Sequence, residues 1–374
     1  MQTEDFLRVN VVSGLSGAGK SSVARALGGT AIHPRALLPD DADTLADSPL
    51  ALAPWQAWQG SAVPGNREVF VEAHPSIGPL EVASFLAPDR DEQRGAPTVR
   101  LGDLVTVLDA SRFWDDLQSD GSVPDSPTDA AVGSVGQASF DRLPADRTPA
   151  DRTPSDRTRG DALVEQIEWA SVVVINKSDL VRRAVCGDIR DFVRLLNPSS
   201  FIVFAIHGEG AAATWPAPRR DMHAWLARSP GWVRQLNGDA LLSQSPQGLS
   251  CVVYRDVRPF HPARLAHFFA NRSGESGDIL RSRGLFRLAS RPGVVGSWSS
   301  VGGTVTFEPT GMLTSDPDST WGQEIAFFGR NLDVNRLTRN LNECLLNDAE
   351  FLAGPVHWSA TLDPFPAWDL QHRH

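Results

Sequence analysis

A glycine-rich segment near the start of the chain, residues 14–21, constrains the fold more than any other part of the sequence. It reads GLSGAGKS and satisfies every specified position of the pattern G-x-x-x-x-G-K-[S/T]. A β-like segment, residues 7–12, precedes it and a helix-prone segment, residues 22–27, follows it, in the order that the pattern requires. Glycines let backbone N–H groups turn inward around phosphate. The sequence therefore predicts a phosphate-binding loop between a strand and a helix.

The residues of this loop have distinct predicted roles. We expect Lys20 to reach the outer phosphates of a nucleotide, where it would also act in catalysis, and Ser21 to ligate Mg²⁺. Lys20 is one of only two lysines among 35 basic residues, and both lie in nucleotide-binding motifs. The other predicted phosphate contacts are Gly14, Gly17, Ala18, Gly19 and Ser22.

A second motif predicts which base is bound. The apolar run over residues 172–175 is typical of a buried parallel strand and leads directly into Asn176-Lys177-Ser178-Asp179, the pattern N-K-x-D. A carboxylate can accept two parallel hydrogen bonds from N1–H and the exocyclic amine of guanine, which adenine does not offer. We therefore expect Asp179 to select GTP over ATP, Asn176 to brace the loop, and the stem of Lys177 to cover the base.

Composition excludes several other classes of protein. No apolar run approaches the ~18 residues of a membrane-spanning helix, and residues 1–5 lack the features of a signal peptide, so we expect a cytoplasmic protein without a membrane partner. A net charge of −10 without a basic stripe disfavours nucleic acid as a partner. Cys186, Cys251 and Cys344 are too far apart in sequence for a disulfide framework or a CxxC site, and we expect them to be buried apolar residues.

Alternating strand and helix patterns predict an α/β fold, a P-loop NTPase with a doubly wound, mostly parallel sheet, followed by a smaller α+β C-terminal domain. The predicted strands of the first domain are residues 7–12, 68–71, 104–108, 172–175 and 201–206. Those of the second are residues 250–255, 285–289, 294–300, 304–307 and 325–328, with helices over 262–271 and 334–346 and an irregular tail from Gly354.

These elements predict a domain over residues 1–228, a linker over 229–247 and a domain over 248–374. Residues 119–160 contain a five-residue repeat, variants of DRTPA, in which regularly spaced proline forbids a helix or a central strand. We expect this low-complexity insertion to be disordered and to have no specific function, with a docking role as the alternative.

The order of motifs resembles the CobW-type GTPases, whose nucleotide-binding domain is of the CobW/UreG/HypB type and is followed by a CobW C-terminal domain. Besides the two nucleotide motifs, the similar segments are residues 69–72, 105–110, 163–170, 196–198, 258–262, 279–284 and 323–329. Members of this family are GTP-dependent metal chaperones or metalloenzyme activators. The resemblance implies that the GTP state controls delivery of zinc or cobalt, in zinc homeostasis or cobalamin biosynthesis, to a metalloprotein client docked partly on the C-terminal domain.

The chain departs from the family pattern in two places. The family usually has a C-x-C-C metal motif between the phosphate loop and the glutamate strand, yet residues 23–67 contain no cysteine. The family's glutamate is normally followed within three residues by glycine, whereas here Glu72 is followed by Ala73, His74 and Pro75. Proline removes a backbone donor that would otherwise sense the γ-phosphate, so we expect GTP hydrolysis to be slow.

For the other polar residues singled out, both a functional and a structural role are considered. Glu72 is predicted to orient the attacking water or to bind Mg²⁺ through water, with capping of the next helix as the alternative. Asp109 is interpreted as a turn residue, and Arg281 and Arg283 as members of surface salt bridges rather than contacts to an acidic partner. Histidines and an acidic cluster that suit zinc are interpreted as solvated residues rather than ligands: His33, His74, Asp40, Asp41, Asp43, His372 and His374.

Three functional classes remain open at this point. The first is a GTPase metallochaperone, and the second is a GTP-binding regulatory or scaffold protein that has lost metal carriage. The third is a small-molecule P-loop kinase, against which the N-K-x-D motif counts. A homo-oligomer is compatible with each of them.

Overall fold

The computed structural model describes residues 6–28, 31–32, 68–73, 75, 78–79, 83, 98–123, 158–211, 215, 220–239, 245, 248–271, 273–317, 319–320 and 322–368. The chain divides into two compact units, the first comprising 1–116, 123–127 and 161–230, and the second 117–122, 128–160 and 231–374. Most of the repeat insertion lies outside the described residues. So do the predicted alternatives for a metal site: His33, His74, Asp40, Asp41, Asp43, His372 and His374.

A six-stranded parallel sheet forms the first unit, in the order β2-β3-β1-β4-β5-β6. Its strands are β1 (Phe6–Ser13), β2 (Ala31–Ile32), β3 (Glu68–Glu72), β4 (Thr98–Asp109), β5 (Val172–Asn176) and β6 (Phe201–Phe204). The helices along this part of the chain are α1 (Lys20–Ala26), α2 (Phe113–Gln118), α3 (Arg159–Trp169), α4 (Arg183–Leu196) and α5 (Met222–Leu226). The chain has the P-loop NTPase fold, as the alternating pattern predicts.

Apolar packing on both faces explains why these strands read as continuous hydrophobic runs. All five residues of β5 are buried, as expected for a central parallel strand. One core cluster includes Val12, Val105 and Val174 with Val23 of α1, and another includes Val9, Val69 and Trp225 of α5. Helix α4 buries Ile189, Phe192, Val193 and Leu196, the spacing of an amphipathic helix.

The structure corrects two strand predictions in this unit. Strand β4 begins at Thr98, six residues before the predicted start, and its pairing with β1 shifts register between Val9 and Val11. At the shift, the buried Asn10 accepts a hydrogen bond from the backbone N–H of Asp103 at 2.7 Å. Strand β6 ends at Phe204 instead of Ile206, because Ile206 pairs with Glu209 in a tight turn.

The second unit contains a five-stranded antiparallel sheet in the order β10-β9-β8-β11-β7. Its strands are β7 (Leu249–Asp256), β8 (Asp278–Phe286), β9 (Val294–Val301), β10 (Thr304–Leu313) and β11 (Gln323–Arg330). Its helices are α6 (Gly231–Leu236), α7 (Pro262–Asn271), α8 (Val334–Asn342), α9 (Asp348–Leu352) and α10 (Pro355–Trp358), with a 3₁₀ turn at Ser273–Ser276. The unit is therefore α+β, and α6 lies within the range predicted as a linker.

An aromatic core joins this sheet to α7 and α8. Trp298 of β9 is fully buried and lies within 6.0 Å of the ring centroids of Phe260, Phe286 and Phe327. The indole N–H of Trp298 donates to Ser282 Oγ at 2.7 Å, so its polar atom is satisfied inside the core.

Three predictions in this unit are wrong in detail. The strand predicted over 285–289 runs from Asp278 to Phe286. The helix predicted to end at 346 ends at Asn342, because the following residues pair with the segment around Phe260, which bridges to Leu345. The tail is not wholly irregular, since α10 forms one helical turn before the ring of Trp368 packs on the core.

Arg281 and Arg283, which the sequence places in surface salt bridges, lie in β8 between β9 and β11. Arg281 is buried and donates to Ser299 Oγ at 2.6 Å, and the guanidinium of Arg283 lies 5.8 Å from the ring centroid of Trp232.

The ends of the repeat insertion meet. An isolated bridge pairs Ser122 with Thr158, and the N–H of Arg159 donates to the carbonyl of Gly121 at 2.9 Å. Residues 121–122 and 158–159 are therefore adjacent in the structure.

The three cysteines are free thiols, with Cys186 and Cys344 buried and Cys251 partly so. No helix within the described residues is long and apolar enough to cross a bilayer.

Candidate nucleotide-binding site

The predicted phosphate loop connects β1 to α1, as the sequence indicates. Gly14, Gly17 and Gly19 have φ values of 151°, 82° and 96°. A Cβ atom on Gly19 would lie 2.3 Å from the side-chain nitrogen of Asn176, and one on Gly14 would lie 2.6 Å from the carbonyl oxygen of Val107. Glycine is therefore required at both positions, for the backbone conformation and for the close approach of neighbouring atoms.

Lys20 is folded back onto the loop that contains it. Its ammonium group donates to the carbonyl oxygens of Gly14 at 2.9 Å and of Leu15 at 3.4 Å. It also lies 3.7 Å from Oε1 of Glu72, which ends the neighbouring strand β3. Burial lowers the pKa of Lys20, and the Glu72 carboxylate partly offsets this by favouring the charged form.

Ser21 contacts the other oxygen of the Glu72 carboxylate. Its hydroxyl donates to Oε2 of Glu72 at 2.8 Å. Parallel pairing of β1 with β3 places Val12 opposite Glu72, which brings the strand end to the loop. The structure thus unites Lys20, Ser21 and Glu72, three residues for which the sequence predicts roles at the phosphates. A hydroxyl and a carboxylate are hard oxygen ligands, so this pair fits Mg²⁺.

The buried amide of Asn176 joins three loops. Its Nδ2 donates to the carbonyl of Ala18 in the phosphate loop at 2.9 Å, and its Oδ1 accepts from the N–H of Gly208 at 3.0 Å. Gly208 has a φ of 84°, and a Cβ atom there would lie 2.6 Å from the carbonyl carbon and oxygen of Ser22. The loop after β6 is therefore packed directly on α1.

Lys177 and Asp179 occupy different environments in the N-K-x-D loop. Asp179 is exposed, while Ser178 anchors the loop by donating to the carbonyl of Ala205 from its N–H at 3.2 Å and from its hydroxyl at 3.0 Å. The ammonium of Lys177 donates to Oδ2 of Asp109 at 2.5 Å. An exposed carboxylate beside a fixed loop is available to accept hydrogen bonds from a base.

Asp109 has more than the turn role that the sequence favours. Its Oδ1 accepts from the N–H of Ser111 at 2.9 Å and from the Ser111 hydroxyl at 2.6 Å, which is turn geometry. Its other oxygen binds Lys177. Burial alone would raise the pKa of Asp109, but the hydrogen bonds from Lys177 and Ser111 outweigh burial, and the pKa is lowered.

The chain is similar to known proteins in its C-terminal part and over most of its length. The family model of the cobalamin synthesis protein CobW C-terminal domain matches residues 249–345. The zinc-regulated GTPase metalloprotein activator 1 of Dictyostelium discoideum is 25% identical over 294 residues, covering 71% of this chain and 56% of that protein. The C-terminal part of the chain therefore matches the CobW C-terminal domain, and most of the chain is similar to a protein named as a zinc-regulated GTPase metalloprotein activator. The chain spans little more than half the length of this curated relative.

Two solved structures are also similar to this chain. They are the Zn(II)-bound YjiA GTPase from E. coli and a Zn(II)-bound triple mutant of YjiA. Each has 12% sequence identity and a TM-score of 0.32, covering 91% of this chain and 99% of the other.

The loop after Glu72, in which this chain departs from the CobW-type pattern, is held by α3. The side-chain nitrogen of Gln166 donates to the carbonyl of Pro75 at 3.2 Å, and a Cβ atom on Gly78 would lie 2.3 Å from Oε1 of Glu165. His74, the predicted alternative ligand in this loop, lies outside the described residues.

The remaining predicted loop residues contribute through the backbone. Ala18 offers its carbonyl to Asn176, and the N–H of Ser22 donates to the carbonyl of Gly19 at 3.1 Å. Sequence reasoning missed Gly208 and Gln166. The only signal for Gly208 was its place just after a predicted strand, and the only signal for Gln166 was its place in the family-like segment 163–170. Within the described residues, no cluster of three or more histidine, cysteine or acidic side chains is arranged to hold a metal ion.

Proposed function

We propose that this chain binds GTP with Mg²⁺ and hydrolyses it slowly. The observation that carries the proposal is the buried amide of Asn176 in the N-K-x-D loop, which binds the phosphate loop through Ala18 and the loop after β6 through Gly208. Phosphate recognition and base recognition thereby become parts of one rigid site. A glycine-rich turn of no function would not need this connection to a base-selective motif.

Three residues are proposed to act at the phosphates, each in a different role: Lys20, Ser21 and Glu72. Lys20 exchanges its contacts with the loop carbonyls for contacts with phosphate oxygens, because an ammonium binds anionic oxygens more strongly than neutral carbonyls. Ser21 and Glu72 would hold Mg²⁺, Glu72 through water, and the bound ion supplies charge neutralisation at the phosphates. Glu72 also orients the attacking water. Pro75, which lacks a backbone donor, makes the loop after β3 a weak sensor of the γ-phosphate.

At the base, Asp179 accepts two hydrogen bonds from guanine. Purified protein should therefore bind GTP more tightly than ATP. Asp179→Asn should reverse the hydrogen-bonding preference, so that xanthosine triphosphate, which presents a carbonyl in place of the amine, binds better than GTP. The test is calorimetric titration of wild type and variant with GTP, ATP and xanthosine triphosphate. Unchanged GTP affinity in the variant would contradict the role of Asp179.

The use of GTP is proposed to be metal delivery, with zinc or cobalt as cargo and a metalloprotein as client. The name of the Dictyostelium relative and the CobW C-terminal match support this reading. The second candidate, a GTP-binding regulatory or scaffold protein, is favoured by the absence of cysteine from residues 23–67. The kinase alternative is disfavoured by Asp179, because a guanine-specific site is not needed for phosphorylation of small molecules by ATP.

Two measurements separate the first two candidates. Zinc and cobalt stoichiometry is determined on the full chain with and without GTP, and GTP turnover is followed by phosphate release with zinc added or chelated. A delivery protein should bind one ion tightly and change its turnover with zinc. Tight GTP binding with neither bound cargo nor zinc response would establish the scaffold instead.

A further inference from the structure

The ends of β4 and β5 place an acidic and a basic side chain together beside the candidate base site. The strands are parallel neighbours, with Asp109 opposite Asn176 and the N–H of Ala110 donating to the carbonyl of Asn176 at 3.0 Å. Lys177 follows Asn176, so its side chain reaches Asp109, and their charged groups meet at 2.5 Å. The Asp109 side chain is 7% exposed and that of Lys177 28% exposed. Partial burial protects the pair from screening by solvent.

The carboxylate that receives Lys177 is itself fixed. Oδ1 of Asp109 is occupied by the N–H and the hydroxyl of Ser111, which leaves Oδ2 directed at Lys177. Each carboxylate oxygen therefore has its own partner, and the side chain has no freedom to rotate without breaking three hydrogen bonds. The ammonium of Lys177 is held by a rigid acceptor.

The backbone of Lys177 is in a conformation that needs support. Its φ is 56°, in the left-handed region that residues with a Cβ atom seldom adopt. Such conformations persist when the surroundings over-determine them, and they concentrate at functional sites. Two contacts hold Lys177 here, the ion pair with Asp109 at the end of the side chain and a turn in which the N–H of Leu180 donates to the Lys177 carbonyl at 3.1 Å.

We propose that Asp109 is a positioning residue for guanine recognition. By holding the ammonium of Lys177 at the end of β4, it keeps the methylene stem extended as an apolar wall against which the face of the base packs, beside Asp179. The inference rests on the proposed GTP site and assigns to Asp109 a role through Lys177, without a contact of its own to the nucleotide. An unanchored lysine would sample many rotamers, and the wall would have to be ordered at the moment of binding.

A double-mutant cycle on the full chain tests this assignment. Asp109→Asn removes the charge, and Lys177→Met removes the ammonium while keeping an unbranched apolar stem. We expect Asp109→Asn to weaken GTP binding about tenfold in the wild-type background, in line with the loss of one charged hydrogen bond. In the Lys177→Met background the same change should alter the GTP dissociation constant less than about twofold, because no ammonium remains to be positioned.

Asp116→Asn is the matched control. Like Asp109, Asp116 is a buried aspartate near a basic side chain, but it lies in α2, and its carboxylate is 3.9 Å from Arg112. This control should leave GTP affinity within about twofold of wild type. Equal weakening by Asp109→Asn in both backgrounds would overturn the proposal and assign Asp109 to the turn alone. Unchanged GTP affinity after Asp109→Asn would overturn it as well.

A second variant covers the case in which Asp109→Asn does not fold. Ser111→Ala removes one hydrogen bond to the carboxylate without changing its charge, and it should weaken GTP binding in the wild-type background but not in the Lys177→Met background. A loss of equal size in both backgrounds would again refute a role through Lys177. Failure of the GTP site itself would be visible separately, as a wild-type protein that binds GTP no better than ATP.

Discussion

Substitution of Asn176 by alanine removes the side chain that joins the three loops of the candidate site. The carbonyl of Ala18 and the N–H of Gly208 would each lose a partner, at present 2.9 Å and 3.0 Å away. We expect the variant to be less stable and to bind GTP more weakly, because the phosphate loop and the base loop would no longer share an anchor.

The magnitude follows from the burial of these groups. Asn176 is only 1% exposed, so water does not readily replace its amide. Each buried polar group left unsatisfied costs about 1–3 kcal/mol, which gives a loss of about 2–6 kcal/mol in the free energy of unfolding for two groups. A loss of about 3 kcal/mol corresponds to a decrease of about 6–12 °C in Tm for a unit of this size.

Asn197→Ala is the matched control for this experiment. Asn197 is also 1% exposed and lies in the same unit, where its Nδ2 donates to the carbonyls of Ile167 at 2.7 Å and Ala170 at 2.8 Å. Its loss should destabilise the unit by a similar amount without touching the nucleotide loops. Stability is measured by denaturant unfolding of the full chain, and GTP affinity by calorimetry.

Two results would refute the reasoning. An Asn176→Ala variant with wild-type stability would show that the amide bonds contribute nothing. A loss of GTP affinity as large in Asn197→Ala as in Asn176→Ala would show that affinity follows general stability instead of the connection between loops. We expect at least a tenfold loss of GTP affinity for Asn176→Ala and less than about twofold for the control.

Three further outcomes are expected. Glu72→Gln should lower GTP turnover by about 10²-fold, measured by phosphate release, while the dissociation constant for GTP changes only a few-fold, because an oriented water is lost but the phosphate contacts remain. The pKa of Asp109 in the folded chain is lowered from its ordinary value of 3.8. The stability that the ionised carboxylate contributes is therefore complete above about pH 4 and is lost as the pH falls through the lower, folded-state pKa. The difference in Tm between wild type and Asp109→Asn should accordingly shrink below about pH 4. Gly208→Ala should destabilise the first unit by about 1–3 kcal/mol, because the φ of 84° is unfavourable for alanine and the added Cβ would collide with Ser22. The control is Gly187→Ala inside α4, where an added Cβ would meet no atom within 4 Å. In denaturant unfolding this control should stabilise the unit by up to about 1 kcal/mol.

Much of the first unit could be predicted because its strands are buried on both faces. Strand β5 appears in the sequence as an uninterrupted apolar run, and the helix pattern of α4 is equally clear. The start of β4 could not be read in this way, because its register shift depends on Asn10, which contacts Asp103 from 93 positions away. A polar side chain that hydrogen-bonds to the backbone of a distant strand cannot be distinguished, from sequence alone, from a polar side chain in a loop.

Strand β8 shows the same limit in the second unit. Its polar residues Arg281, Ser282 and Arg283 suggest a surface segment, yet Arg281 and Ser282 are buried, and the neighbouring strand β9 supplies a hydroxyl partner for Arg281 from Ser299. Hydrophobic alternation does not reveal a strand whose buried polar groups are satisfied by its neighbours.

In the candidate site, too, residues in local motifs could be predicted from sequence, whereas contacts between distant segments could not. Lys20, Ser21, Asn176 and Asp179 belong to motifs whose spacing is local, so their roles are predicted from sequence. The contacts of Gly208 and Gln166, and the pairing of Asp109 with Lys177, depend on which strand ends the sheet brings together. These contacts required the three-dimensional structure, because no short pattern encodes them.

The bridge between Ser122 and Thr158 has a consequence for how chains of this kind can vary in length. The two residues are 36 positions apart in sequence and are paired, so the entropy of closing this segment is already lost on folding. Because closure entropy grows only with the logarithm of loop length, one more five-residue repeat would cost about 0.1 kcal/mol. Chains of this kind can therefore differ in the number of repeats with almost no change in the free energy of unfolding.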